Sequence, residues 1–269
     1  MTTPTWVLQT NISSEDSESK LYGFLTQRGT PVERFKLIPF DDSPLPFDHT
    51  RPTIFYGSTS LIRRAANENR FRPGVWYDLE ASSFSRLCRE YNDELLNRNS
   101  TVLPLHELVA HLKTLDPNEP LFVRPTEDTK AVVGRVRPAW EWLERLESSI
   151  GVRGGPTPDT MVQVAEPQNI PNEWRVCILN GKPLTASSYR VDGKLNQGGD
   201  IPGKVMDYAR QISKRYSPQP VYMLDVCERS DGVLKVVETN TFNCSGFYWM
   251  DVYLIAREVT DYVEDTTRA

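Results

Sequence analysis

The residues from Tyr222 to Asn243, YMLDVCERSDGVLKVVETNTFN, limit the possible folds most, because they read as a hairpin holding opposed carboxylates. Segments 221–228 and 233–242 are β-branched and apolar enough to be strands, and Asp231-Gly232 between them is a strong turn signal. A hairpin centred on that turn sets Asp225 opposite Glu238, with Cβ atoms about 4.5–5.5 Å apart. Asn240, two residues on, points to the same face. Like charges opposed on a half-buried sheet destabilise it unless something cationic lies between them. Hard cations such as Mg²⁺ take carboxylate and amide oxygens and commonly share them with substrate phosphates. Leu234 and Val236 are expected on the Glu238 face, which would turn the acids inward. The alternative is an edge hairpin whose acids face solvent.

The 269 residues are enough for one large domain or two smaller ones. A net charge of −5 with no long Lys/Arg cluster argues against wholesale nucleic-acid binding. No apolar run approaches the roughly 20 residues of a membrane span, and MTTPTWVLQT does not read as a signal peptide. Cys88, Cys177, Cys227 and Cys244 lack CxxC or disulfide-framework spacing, so reduced thiols in a cytoplasmic protein are expected. His49, His106 and His111 form no zinc-type pair.

The first hundred residues alternate strand and helix signals: strands at 5–10, 32–38, 53–56 and 75–77, helices at 13–27, from 59 through 69, and across 84–97. Such alternation predicts a small parallel α/β unit. Gly57-Ser58-Thr59-Ser60 reads as a helix cap, with anion binding as the alternative. From about Glu119 the pattern turns to antiparallel pairs. Strands at 121–124 and 131–136 flank a polar turn, 161–165 follows, and 174–179 with 184–189 flank Asn180-Gly181. Val205, Tyr208, Ala209, Ile212 and Tyr216 place a helix over 203–216. A last helix covers 253–263, and GVRGGPTP (151–158) is a loop. The fold class is α/β followed by α+β.

Basic residues punctuate the second half. Arg124 ends a strand and Lys130 follows the next turn, where the pair could clamp phosphates or be solvated surface cations. Arg175 shares a face with Glu173 and Cys177 in an otherwise apolar strand, so it is either a site residue or a structural partner of Glu173.

In chain order, Arg124, Lys130, the strand MVQVAE, then EWRV, Asp225, Glu238 and Asn240 resemble an ATP-grasp domain, specifically the clade named for two arginines and a lysine. The resemblance implies a Rossmann-like pre-ATP-grasp unit over 1–115 and a two-lobed ATP-grasp fold over 116–269, with a central lobe near 116–165 and a C-terminal lobe near 166–269. It implies ATP between the lobes, with Arg124 and Lys130 on phosphates and the hinge from Gln163 and Val164 to Glu166 reading adenine through its backbone. Glu166 or Glu173 would take the ribose hydroxyls, and Asp225, Glu238 and Asn240 would hold one or two Mg²⁺ ions. Arg175, with Lys130, would act on the transferring phosphoryl group. Arg190, Ser245 and Gly246 are candidate substrate contacts; Phe247, Tyr248 and Trp249 suggest either an acceptor pocket or core. The implied activity is ATP-dependent ligation of a carboxylate to an amine through an acyl phosphate, on small-molecule or peptide substrates, without nucleic acid or membrane. A phosphotransferase, a non-catalytic nucleotide-binding module and an interaction protein with surface acids are the rival readings.

Overall fold

A computed structural model describes residues 3–12, 17–39, 41, 43–47, 50–68, 70–127, 132, 134–191 and 194–268. Three parallel strands open the chain: β1 (Thr5–Gln9), β2 (Val32–Phe35) and β3 (Thr53–Tyr56), in the order β2-β1-β3. β1 and β3 are apolar almost throughout because both faces of a parallel sheet are covered. Trp6, Leu8, Ile54 and Tyr56 turn one way, onto Leu21 and Leu25 of α1 (Ser17–Arg28). Val7 and Phe55 turn the other way, onto Leu61, Ile62 and Ala65 of α2 (Thr59–Asn67). Ser58 caps α2, its hydroxyl accepting from the Leu61 amide at 3.4 Å.

The strand expected at 75–77 does not form. The Trp76 amide is spent on the Asn243 side chain, at 2.9 Å, rather than on a ladder. The helix expected over 84–97 ends at Tyr91 (α3, Phe84–Tyr91), because Asn92 takes a left-handed φ of 51°. A single turn of 3₁₀ helix follows, and Leu95 then bridges to Val236.

The next sheet is antiparallel. Its strands are β4 (Thr101–Pro104), β5 (Pro120–Pro125), β6 (Arg135–Pro138) and β7 (Met161–Ala165), in the order β4-β7-β5-β6. Helices α4 (Leu105–Leu112) and α5 (Ala139–Ser149) cover one face, burying Leu108, Trp142 and Leu146 against Val123 and Val162. This sheet therefore draws on β4, which lies before the expected boundary at residue 116. Helix α5 is not among the expected elements, although Ala139, Trp142 and Leu146 carry the spacing of a buried helical face.

The third sheet has five antiparallel strands. They are β8 (Asn172–Leu179), β9 (Lys182–Val191), β10 (Lys194–Gly198), β11 (Val221–Glu228) and β12 (Leu234–Thr241), in the order β10-β9-β8-β11-β12. Asn180 and Gly181 both have positive φ, 47° and 71°, as a two-residue hairpin turn requires. One face packs Trp174, Val176, Leu224, Val226 and Val236 against α3 and α6 (Gly203–Arg215). On the other face, Cys177 and Met223 meet α7 (Val252–Thr266) and the N-terminal strands. Among the described residues no helix is long and apolar enough to cross a membrane.

The β11–β12 register sets Asp225 opposite Glu238, then shifts so that Val226 faces Val236. The expectation that Val236 and Leu234 share the Glu238 face is therefore corrected. The extra residue, Val237, forms a bulge that reverses the side-chain sense, and Val236 and Leu234 pack on the α6 side. The acids still turn inward, but a register shift puts them there rather than simple alternation.

Asn243, fully buried just past β12, joins the C-terminal sheet to the N-terminal one. Its Nδ2 donates to the Phe55 and Gly74 carbonyls at 2.7 and 3.0 Å, and its Oδ1 accepts from the Trp76 amide at 2.9 Å. Asn243→Ala leaves these buried backbone groups without side-chain partners, and each such group typically costs about 1–3 kcal/mol. We expect a loss of about 3 kcal/mol, seen as a lower urea midpoint at unchanged slope. A loss under about 1 kcal/mol would mean that the Asn243 side chain is not what joins the sheets.

Candidate active site

Strand pairing places Ser187, Arg175, Asp225 and Glu238 side by side in one row across β9, β8, β11 and β12. Asp225 is 0% exposed and Arg175 6%. A charge that deep needs a partner of matched shape. Arg175 supplies it, donating from Nε to Asp225 Oδ1 at 2.8 Å and from Nη2 to Oδ2 at 2.7 Å. Asn240 adds a bond from Nδ2 to Asp225 Oδ2 at 3.1 Å. Burial works against the Arg175 charge, but Asp225 outweighs it and holds the guanidinium protonated far above its ordinary range. The alternative of a Glu173–Arg175 structural pair is thus replaced by Arg175–Asp225.

Glu238 reaches across to the other sheet, where Arg124 Nη2 meets its Oε2 at 2.5 Å. Beside Arg124 on β7, Gln163 shares its face and is 3% exposed, with no hydrogen-bond partner for Oε1 among the described residues. The Val164 side chain packs toward the helix-covered face, and Glu166 is exposed where the chain leaves β7. A cavity of about 530 Å³ opens at this hinge, lined in part by Leu95, Thr101, Val164, Glu166, Arg229 and Lys235. Lys130 lies outside the described residues.

One row nearer the hinge are Arg190, Glu173, Cys227 and Lys235. Burial pushes the Glu173 carboxyl up to about 8; Asp225 and Glu238 add to this, and Arg190 and Arg175 oppose it.

The candidate substrate contacts divide. Arg190 is partly exposed, lying 4.8 Å over the Tyr189 ring. Ser245 is 5% exposed and internally committed: its hydroxyl donates to the Thr241 carbonyl at 2.7 Å, and its carbonyl accepts from the Tyr56 hydroxyl at 2.9 Å. The adjacent Gly246 is partly exposed. Among the aromatic residues that follow, Phe247 is core, Tyr248 turns to Arg175, and Trp249 is 66% exposed. Tyr189 and Lys235 also come to the cleft without a motif to announce them, because their places depend on register.

Residues 75–262 match the ATP-grasp domain model of family 3 in the clade named for two arginines and a lysine. The chain belongs to that family. Solved structures with the same fold include D-alanyl-alanine synthetase A from Vibrio cholerae O1 biovar eltor (13% identity, TM-score 0.62, 100% of both chains covered). D-cycloserine synthetase DcsG is similar over 96% of this chain and 99% of its own (12% identity, TM-score 0.59). ATP-grasp ligase PsnB, complexed with a minimal precursor, is similar over 97% and 99% (12% identity, TM-score 0.56). No curated protein sequence matches.

Among the described residues, no group of three or more His, Cys, Asp or Glu side chains is placed to hold a metal. Two carboxylates and an amide on one face nonetheless suit Mg²⁺, which is commonly held by one or two protein carboxylates together with phosphates and water. In the structure Arg124 and Arg175 neutralise those carboxylates.

Asp225→Asn leaves the Arg175 charge buried without its counter-ion, so denaturant unfolding should show a loss of about 3 kcal/mol. Glu173 tests the electrostatics separately. Its folded pKa of about 8 exceeds the ordinary 4.5, so the fold favours the protonated form and loses stability as pH rises between these values. In nucleotide-free protein, Glu173→Gln should gain stability over wild type at about pH 8 and not below 4.5. Parallel stability–pH curves for the two proteins would show that Glu173 is ionised in the fold.

Proposed function

We propose that this protein is an ATP- and Mg²⁺-dependent ligase that joins a carboxylate to an amine, or a related nucleophile, through an acyl phosphate. The observation carrying this reading is the Arg124–Glu238 contact, which brings a cation of the four-stranded sheet against the Arg175–Asp225–Glu238 row of the five-stranded sheet. Phosphoryl transfer depends chiefly on positioning and charge neutralisation, and this cleft concentrates cations and oxygen ligands at one place. Neighbours of the same fold bear synthetase and ligase names, which agrees with this reading.

In this reading Arg124 and Lys130 bind the nucleotide phosphates. The hinge backbone of Gln163, Val164 and Glu166 reads the base beside its cavity, and Glu173 or Glu166 takes the ribose hydroxyls. Asp225, Glu238 and Asn240 would hold Mg²⁺, which would supply charge neutralisation for the phosphates when bound. Arg124, which meets Glu238 in the structure, is also placed to turn to a phosphate, and Glu238 would then be available to the metal. Arg190 and the backbone at Gly246 face the acid or amine, while Ser245 supports the loop.

The substrate carboxylate oxygen attacks the γ-phosphorus, and the bond to the departing ADP oxygen breaks. Arg175 faces the charge that gathers on the transferring phosphoryl group. The amine lone pair then adds to the acyl carbon, the carbon–oxygen bond to phosphate breaks, and the amine proton is lost as phosphate leaves.

Thermal unfolding with Mg·ATP is the first test. Saturation at a hundred times the dissociation constant should stabilise by about 2.7 kcal/mol, and Glu238→Gln should remove most of that shift. No shift at millimolar Mg·ATP would overturn the nucleotide reading. ADP release that requires both an acid and an amine supports ligation; release that requires a single acceptor identifies a phosphotransferase.

A further inference from the structure

We propose that Tyr189 and Tyr248 are positioning residues for Arg175, fixing the edge of its guanidinium that Asp225 leaves free. The proposal rests on the reading of Arg175 as a phosphoryl-facing cation.

The three side chains pack as a triangle. The tyrosine rings stack with centroids 5.1 Å apart at 23°, and the Arg175 Cζ lies 4.9 Å from the Tyr189 centroid and 5.3 Å from that of Tyr248. Arg175 commits Nε and Nη2 to Asp225, while Nη1 points to the Tyr248 hydroxyl at 3.5 Å. Two aromatic faces against a desolvated guanidinium favour its charge and limit its rotation.

Both rings reach this place by unusual backbone. Pairing passes from Arg190 opposite Glu173 to Ser188 opposite Trp174, so Tyr189 is the extra residue of a bulge. Bulges recur beside active sites, where they re-aim a side chain. Tyr248 has φ 52°, a left-handed conformation that is rare for a bulky residue and that glycine would adopt freely. Such outliers persist only where their surroundings over-determine them, and they cluster at functional sites. Here Phe247 is locked in the core on one side, and on the other the Trp249 amide donates to Ser187 Oγ at 3.3 Å. Ser187 is itself the row partner of Arg175, so the strand paired with the arginine's own also holds the loop carrying Tyr248.

Calorimetric titration with Mg·ADP, alone and with aluminium fluoride as a mimic of the transferring phosphoryl group, needs no identified substrate. Tyr248→Gly should leave the Mg·ADP dissociation constant within about twofold of wild type and weaken the aluminium fluoride complex about tenfold, since its loss falls on the phosphoryl-facing cation. Tyr248→Phe, which keeps the stacked ring, should retain most of the wild-type affinity. Tyr189→Leu should repeat the selective loss and covers the case in which the glycine variant does not fold. Equal aluminium fluoride affinity in wild type, Tyr248→Gly and Tyr189→Leu would overturn the proposal, as would an equal loss for both ligands. Wild-type protein that binds neither ligand would instead overturn the nucleotide reading on which the proposal rests.

Discussion

The Arg175–Asp225 pair is the interaction around which the cleft is organised. Two unit charges taken out of water gain nothing from loose proximity, because desolvation can exceed their attraction. Adjacent ladder positions on β8 and β11 hold these two side chains in a bidentate fork, and Asn240 satisfies a further acceptor site on the carboxylate. Glu238, next in the row, would repel Asp225 if left alone. Arg124 from the facing sheet balances it, so the two sheets meet through charge as well as through apolar contact.

Two register shifts give this row its surroundings. At Val237, one extra residue lets Val236 enter the core while Glu238 faces the cleft. At Tyr189, another turns a tyrosine toward Arg175 beside Arg190. A strictly alternating strand could not supply a core contact and a site acid in that order, so the bulge reconciles packing with chemistry.

The N-terminal sheet contributes beyond its own fold. Asn243 ties the end of β12 to Phe55, Gly74 and Trp76, and Tyr56 holds the Ser245 carbonyl. The loop running from β12 to Tyr248 is thus anchored at its start by another sheet and at its end by Ser187. Ser245, which resembled a substrate contact by position, belongs to this anchoring.

Elements with a strong local signal were legible in the sequence. The Asp231-Gly232 and Asn180-Gly181 turns and the β11 span follow from turn chemistry and strand propensity, which need no distant contact. The ordered set from Arg124 to Asn240 carried the family resemblance in the same way. Asp225, by contrast, meets Glu238 only because the Val237 bulge offsets a register that begins with Glu228 opposite Leu234. What the sequence alone could not decide was set by long-range competition for partners. The Trp76 amide prefers a side chain 167 positions away to a fourth strand. The bulge at Val237 depends on where Val236 finds its core, and the choice of Asp225 over Glu173 as the partner of Arg175 depends on which strand lies beside β8. Only the assembled sheets bring Arg124 to Glu238 or Tyr248 to Arg175, because local periodicity fixes the face a residue prefers and packing fixes what it meets there.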